Sequence, residues 1–463
     1  MVFSSMTFVP LFLPLVLVLY YATKHAGIRN TVLLVFSLIF YAWGEPKWIF
    51  VMLLTVTVNY LCGLLIHHSK SKFRRTAAMI LGVSLSLGFL VYFKYFGFFS
   101  DIVTGLLGVE NDFLKPVLPI GISFYTFQVL TYTVDVYRGK VPVQKNYASL
   151  LLYVSFFPQL IAGPIVNYTD IAPSLSSRQE NAEGVYQGFI RFFIGFAKKV
   201  LLANTCGIVT DTLRAGEALS VAGSWLMAVA YAFQIYFDFS GYSDMAIGMG
   251  RMFGFHFFEN FNYPYISKSV TEFWRRWHIS LGTFFRDYVY IPLGGNRVST
   301  AKNIRNIMIV WLLTGFWHGA SWNFMAWGVY YGLLLLAEKF LLQKLKAKLP
   351  GIVNLLWTLL LVLIGWVLFY YENLGDGLTH LSIMFGFGDA PLVDPAAVYY
   401  FKHNALFLVA AALASYPWHN LEFFRREQGL WSWIKPVAIT LMFLFALAMV
   451  VTQSYNPFLY FRF

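Results

Sequence analysis

Two histidines sit where an imidazole is costly. His318 lies in IMIVWLLTGFWHGASWNFMAWGVYYGLLLL, an otherwise strongly apolar run. An ionisable side chain in or near hydrocarbon is a functional hypothesis by default, and the ordinary histidine pKa suits proton transfer near neutrality. Forty residues upstream, His278 falls in ENFNYPYISKSVTEFWRRWHISLGTFFRDYVYIPLGGNR, Glu259–Arg297. That stretch concentrates Glu272, Arg275, Arg276, Arg286, Asp287 and Arg297 among aromatic residues. Each histidine also has a plainer reading. His318 could hydrogen-bond a neighbouring helix, and His278 could belong to an amphipathic helix with Trp and Arg at headgroup depth. If Thr271–Phe285 is one helix, Trp274, His278 and Leu281 share a face and Glu272 and Arg276 form an i,i+4 pair. No third ligand stands at a zinc spacing, so no metal is expected.

Other residues around them could serve the same chemistry. Asp238 and Asp244 in FDFSGYSDMAIG need partners if buried, and the central arginines are the candidates. Asp244 reads as a helix staple; Asp238 could staple or could orient a histidine. Pro292–Arg297, PLGGNR, is a glycine turn whose N–H groups could hold an anion beside Arg297, or it is a plain turn. The candidate substrate contacts are therefore Asp238, Trp274, Arg275, Arg276, Arg286, Asn296, Arg297 and Trp317. Gly315 and Gly319 flank His318 at a spacing of four, which suits a tightly packed helix pair or a substrate passage.

The elements that must position these side chains are membrane helices. Of 463 residues, 58% are hydrophobic and 12% charged, about half the charge of a soluble chain. Mean hydropathy is +0.61. Aromatics reach 19%, part of which suits an interfacial belt. The net charge of +12 comes without a long basic tract, so it reads as positive-inside loops and not as nucleic-acid binding. Cys62 and Cys206 both lie in apolar surroundings and suggest no disulfide framework.

Apolar runs near bilayer length occur at Thr7–Ala22, Thr31–Trp43, Trp48–Ile66, Ala77–Phe93, Pro119–Tyr137 and Tyr147–Leu160; Gly184–Leu202 is apolar but interrupted by Arg191, Lys198 and Lys199, and reads as a tilted or interfacial helix. Others occur at Trp225–Phe239, Ile304–Phe316, Trp322–Leu342, Leu355–Tyr371, Ala405–Tyr416 and Val437–Thr452. Phe96–Pro119, with Asp101, Glu110, Asp112 and Lys115, reads as an outward loop or surface helix. Pro158 and Pro164 predict a broken or re-entrant segment. Gly375–Asp394 reads as a polar connection. The first run lacks a basic n-region and a cleavage site, so it is expected to be a retained span. Lys24 and Arg29, then Lys70, Lys72, Arg74 and Arg75, mark one side as cytoplasmic, which turns the N-terminus outward. No internal repeat points to a transporter.

These residues together resemble the membrane-bound O-acyltransferases, in particular the bacterial branch typified by the membrane subunit of alginate O-acetylation. The resemblance is carried by MVFSS at Met1–Ser5, FYAWG at Phe40–Gly44, LPIGISFYTFQ at Leu118–Gln128 and FPQLIAGPI at Phe157–Ile165. It continues through YFDFSGYSDMAIG at Tyr236–Gly248, the whole Glu259–Arg297 stretch and GFWHG at Gly315–Gly319. It implies one all-α polytopic membrane domain over 1–463, with its central motifs at 236–331. About eleven transmembrane helices, with short re-entrant and interfacial ones, would surround a central passage. The family's signature histidine falls on His318 and its second recurrent histidine on His278. The resemblance also implies no bound cofactor and an acyl donor such as acetyl-CoA or a related thioester. It implies an exported polysaccharide acceptor, an exported esterase-like partner, contact with membrane lipids and a bacterial inner-membrane location. A transporter of acyl carriers or glycans, a lipid- or protein-acylating relative and a purely structural scaffold are the competing readings.

Overall fold

The structure is a computed structural model. It describes residues 1–463 except 111, 112, 114, 217, 218, 419–430, 453–457 and 460–463. The described residues form helices joined by turns. Among the described residues, eight helices are long and apolar enough to cross a membrane. Gly351–Tyr370 is typical: twenty residues rich in Leu, Val and Ile, about 30 Å long at the α-helical rise, which matches the hydrocarbon thickness. Several apolar runs counted in the sequence are shorter helices, among them Phe8–Tyr21, Ile122–Tyr137 and Tyr147–Ser155.

Three sequence expectations are corrected. The segment from Phe96, expected to be an outward loop or a separate surface helix, instead continues the helix Lys72–Leu107, which ends where Gly108 adopts φ +65°. An aromatic run, YFKYFGFF, carries the helix past the point where polar residues suggested a stop. Asp112, also assigned to that loop, lies outside the described residues. Gly375–Asp394 is not wholly a connection, because Leu374–Met384 is helical, capped by the Asn373 side chain on Gly375 N–H. The single helix expected over Thr271–Phe285 is two, Val270–Arg276 and Ile279–Phe285, with His278 at the break.

The chain divides into two compact units, Met1–Phe192 with Ser243–Phe258, and Phe193–Tyr242 with Glu259–Phe463. In the first, Asn59 ties three helices together: its amide donates to Ser86 (2.7 Å) and its carbonyl oxygen accepts from Thr133 (2.6 Å). Such side-chain bonds hold helices where no hydrophobic difference separates protein from lipid. Arg29 pairs with Glu180 at 2.8 Å and Arg191 with Asp244 at 2.6 Å. Asp244 is thus a staple, although its partner is Arg191 and not one of the central arginines. The break before Pro158 occurs as predicted: Phe156 is extended, and Phe157–Leu160 starts a new short helix with proline in its first turn.

The second unit holds both histidines and every candidate substrate contact named above; Asp244 lies in the first. Thr300–His318 and Trp322–Ala337 form an antiparallel pair whose backbones approach closely. A Cβ on Gly328 would lie 2.5 Å from the Trp311 carbonyl oxygen, and one on Gly315 would overlap the Phe324 carbonyl. The glycine spacing around His318 therefore serves helix packing. Beneath it lies an aromatic core of Trp274, Trp277, Trp311, Trp327, Tyr331 and Trp366.

Candidate active site

His278 is the N-cap of the helix Ile279–Phe285 and has φ 46°, ψ 53°. A non-glycine residue in the left-handed region carries backbone strain and is held there only when its surroundings over-determine it. The preceding helix ends firmly. Ser269 caps its start by accepting from Glu272 N–H, and Glu272 and Arg276 form the expected i,i+4 pair at 2.9 Å. Arg276 also donates to the Asn262 carbonyl oxygen. The sharp turn that follows points the His278 ring inward, against Phe239 at 4.7 Å between centroids. His278 is only 2% exposed. Burial pushes its imidazole down to about 3, so the ring is neutral at physiological pH.

His318 arrives from a different direction, at the C-terminal end of the helix Thr300–His318. Its ring packs edge-on against Trp327 and Phe369, each at 5.1 Å. Trp317 stands beside both histidines, 6.0 Å from the His278 ring and 5.0 Å from that of His318. The two imidazoles line one small cavity of about 20 Å³, together with Asp238, Phe239, Trp366 and Leu459. A space of that size holds about one water-sized group.

Asp238 is the charged wall of this cavity. Its carboxylate pairs with Lys199 at 2.8 Å and accepts from Leu459 N–H at 2.8 Å. Lys199 also donates to Asn204 at 2.7 Å. Lys199 lies in the π-helical turn Lys198–Ala203, the kind of irregularity that re-aims a side chain within a long helix. Sequence reasoning took Lys199 only as an interruption of an apolar run, and assigned Asp238 to the central arginines. The signal for the true partner was there: a lysine inside an apolar run needs a carboxylate. Leu459 carried no such signal.

The remaining candidates spread out. Trp274 lies one layer away, packed on Trp311 (4.8 Å), Tyr331 (4.8 Å) and Trp327 (5.4 Å). Arg275 opens onto a second, wider cavity of about 640 Å³, lined also by Lys268, Thr271, Tyr290, Lys339 and Lys346. The inner wall of this basic vestibule includes Trp311. Trp327, 6.0 Å from Trp311, lines the cavity of the histidines. One layer of tryptophans thus separates the cationic vestibule from the imidazoles. Lys268, Lys339 and Lys346 were missed in the sequence, because they are scattered over nearly eighty residues and meet only in the fold.

Arg286 is paired with its neighbour Asp287 at 2.7 Å. Asn296 and Arg297 are exposed in the glycine turn. The N–H groups of Gly294, Gly295 and Arg297 already bond to the carbonyls of Ile291, Tyr290 and Gly294. That turn is closed on itself, held further by Asn303 and Asn306 on the Gly295 carbonyl. It does not present those N–H groups to an anion.

The sequence model of the membrane-bound O-acyltransferase family matches residues 138–375. The chain is 40% identical to the probable alginate O-acetylase of Pseudomonas putida, over the whole of both chains. It is 30% identical to the peptidoglycan O-acetyltransferase of Helicobacter pylori, over 100% of this chain and 98% of that one. It is 31% identical to the teichoic acid D-alanyltransferase of Bacillus subtilis, over 53% of this chain and 65% of that one. The chain belongs to the membrane-bound O-acyltransferase family.

Proposed function

From that membership we propose that this chain transfers an acetyl group from a thioester donor toward hydroxyls of an exported polysaccharide, such as alginate or peptidoglycan, in a bacterial inner membrane. The observation that carries the reading is the meeting of His278 and His318 in one enclosed cavity, with the basic vestibule one tryptophan layer away. In the transfer, a hydroxyl oxygen attacks the thioester carbonyl, a C–O bond forms and the C–S bond breaks. His318 takes the hydroxyl proton and returns it to the departing sulfur; His278 assists. A positioned base contributes about 10²–10⁴-fold in rate. Exclusion of water protects the thioester from hydrolysis.

The vestibule, with Lys268, Arg275 and Lys339 beside an ion pair of Lys346 with Glu338, suits the phosphates of a donor such as acetyl-CoA. Its cationic character, with Lys344 and Lys348 nearby in sequence, marks that end as cytoplasmic by the positive-inside bias. The same bias in the loops after the first and third spans turns the N-terminus outward. An exported esterase-like protein is the partner that would complete delivery to the glycan. A strain lacking this chain, complemented with wild type or His318→Ala at equal membrane levels, tests the proposal by mass spectrometry of surface glycans. Acetylation restored by wild type alone supports it. Full acetylation from His318→Ala refutes the role of His318.

A further inference from the structure

The histidines differ in what holds their ring nitrogens. His380, a third buried histidine, has both engaged: Tyr371 O–H donates to Nδ1 (2.8 Å), and Nε2–H donates to the Ser224 carbonyl (3.1 Å). Such a ring is a structural tie. His278 is held on one side only. Its Nδ1 lies 3.3 Å from Asn260 Oδ1. Its Nε2 is buried without a hydrogen-bond partner among the described residues, in a ring that lines the cavity.

The identity of the Asn260 atom facing Nδ1 follows from its other bonds. That atom accepts from Ser280 N–H (3.2 Å) and from Ser280 Oγ–H (2.9 Å). A backbone N–H can only donate, so the atom is the amide oxygen and not the nitrogen. An amide oxygen can only accept, so His278 Nδ1 carries the proton. The lone pair is then on Nε2. Asn260 is itself wholly buried, and its backbone carbonyl accepts from Ile279 N–H at 2.9 Å. It therefore grips the two residues that follow the strained His278 turn, Ile279 and Ser280, as well as the ring.

We infer that Asn260 is a positioning residue for acyl transfer: it holds His278 in the Nδ1–H tautomer, so that Nε2 faces the cavity as a proton acceptor. The inference rests on the reading of His278 as part of the reactive site. The arrangement follows the general rule that the bond made by one imidazole nitrogen decides what the other can do. The other titratable groups around the cavity are His318 and Asp238, the latter paired with Lys199. Neither bonds to His278 Nε2, so the Asn260 contact alone sets the tautomer.

The test compares four variants in liposomes, with acetyl-CoA as donor, an oligosaccharide acceptor and the exported esterase-like partner, over a range of pH. Asn260→Ala removes the acceptor and should lower kcat/KM by at least about tenfold, as loss of an orienting contact commonly does. Asn260→Asp keeps an oxygen acceptor for Nδ1–H but adds charge. It should retain most activity, with the acid limb of the pH profile moved up by about one unit or more, because a carboxylate beside an imidazole favours its protonated form. Ser280→Ala, which removes one anchor and leaves the His278 contact, should keep both rate and profile. An Asn260→Ala protein with wild-type kcat/KM, or an Asn260→Asp protein with an unmoved acid limb, overturns the inference. The second result decides the matter where Asn260→Ala fails to reach the membrane. His278→Ala separates the two levels. If it is fully active, the place of His278 in the reaction is wrong; if it is inactive while Asn260→Ala is fully active, only the positioning role is wrong.

Discussion

A lysine and an aspartate buried together at Lys199 and Asp238, 3% and 2% exposed, return little net stability for the cost of desolvating them. What such a pair does is penalise its own disruption. Lys199→Met should leave the Asp238 carboxylate uncompensated and cost about 3–5 kcal/mol, read as a lowered thermal midpoint in detergent. Adding Asp238→Leu to it should recover most of that loss. A Lys199→Met protein as stable as wild type would show the pair to be dispensable. The imidazole of His278 carries a pH signature of its own. Its pKa falls from the ordinary value near 6.5 to about 3 in the fold. The unfolded chain thus binds a proton more readily than the folded one. The stability from this group is complete above about pH 6.5 and is lost as pH falls toward 3. The thermal midpoint of wild type should decline over that window more than that of His278→Asn. Equal declines would contradict the buried, neutral assignment. At this scale the sequence was legible where partners are neighbours, as with Glu272 and Arg276, and illegible where they are distant, as with Lys199 and Asp238.

The element that matters most is the break between Val270–Arg276 and Ile279–Phe285. Nothing local demands it: TEFWRRWHISLGTFF contains no proline, and its one glycine, Gly282, lies beyond the break. Helical spacing alone put His278 on a continuous face. The turn is imposed by tertiary contacts: Asn260 bonds to the His278 ring, Ile279 and Ser280 on one side of it, and Asn262 N–H donates to the Arg276 carbonyl on the other. Asparagine tolerates the left-handed region and β-branched residues do not. His278→Asn should therefore fold nearly as well as wild type yet lose acyl transfer, whereas His278→Ile should lose stability as well, by about 1–3 kcal/mol. Equal stability of the two variants would show that the backbone strain there is unimportant. The helix pair around His318 was easier to read, because small residues at a spacing of four need no partner to be recognised. A methyl group at Gly315 would overlap the Phe324 carbonyl. Gly315→Ala should cost about 1–3 kcal/mol by overpacking and shift His318 with it, seen as loss of both thermal stability and activity.

Across the molecule, the apolar periods were sufficient to recognise a polytopic helical membrane protein, and the family motifs to recognise its class. Neither could bring Lys268, Arg275, Lys339 and Lys346 into one vestibule, since basic residues at helix ends look alike whether they face lipid headgroups or a ligand. If the vestibule seats the phosphates of the donor, Lys268→Glu with Arg275→Glu should raise KM for acetyl-CoA at least about tenfold, with a smaller change in kcat, and should weaken its dependence on salt. An unchanged KM would move the donor site elsewhere. The central claim is that the chain does chemistry on a thioester at His318 and does not merely carry a substrate across. The direct measurement uses purified protein in sealed liposomes with acetyl-labelled CoA outside, and an oligosaccharide acceptor with the exported esterase-like partner inside. Wild type should release free CoA and yield labelled ester on the acceptor, while His318→Ala should do neither. Intact labelled acetyl-CoA accumulating inside without thioester cleavage, equally for both proteins, would contradict it.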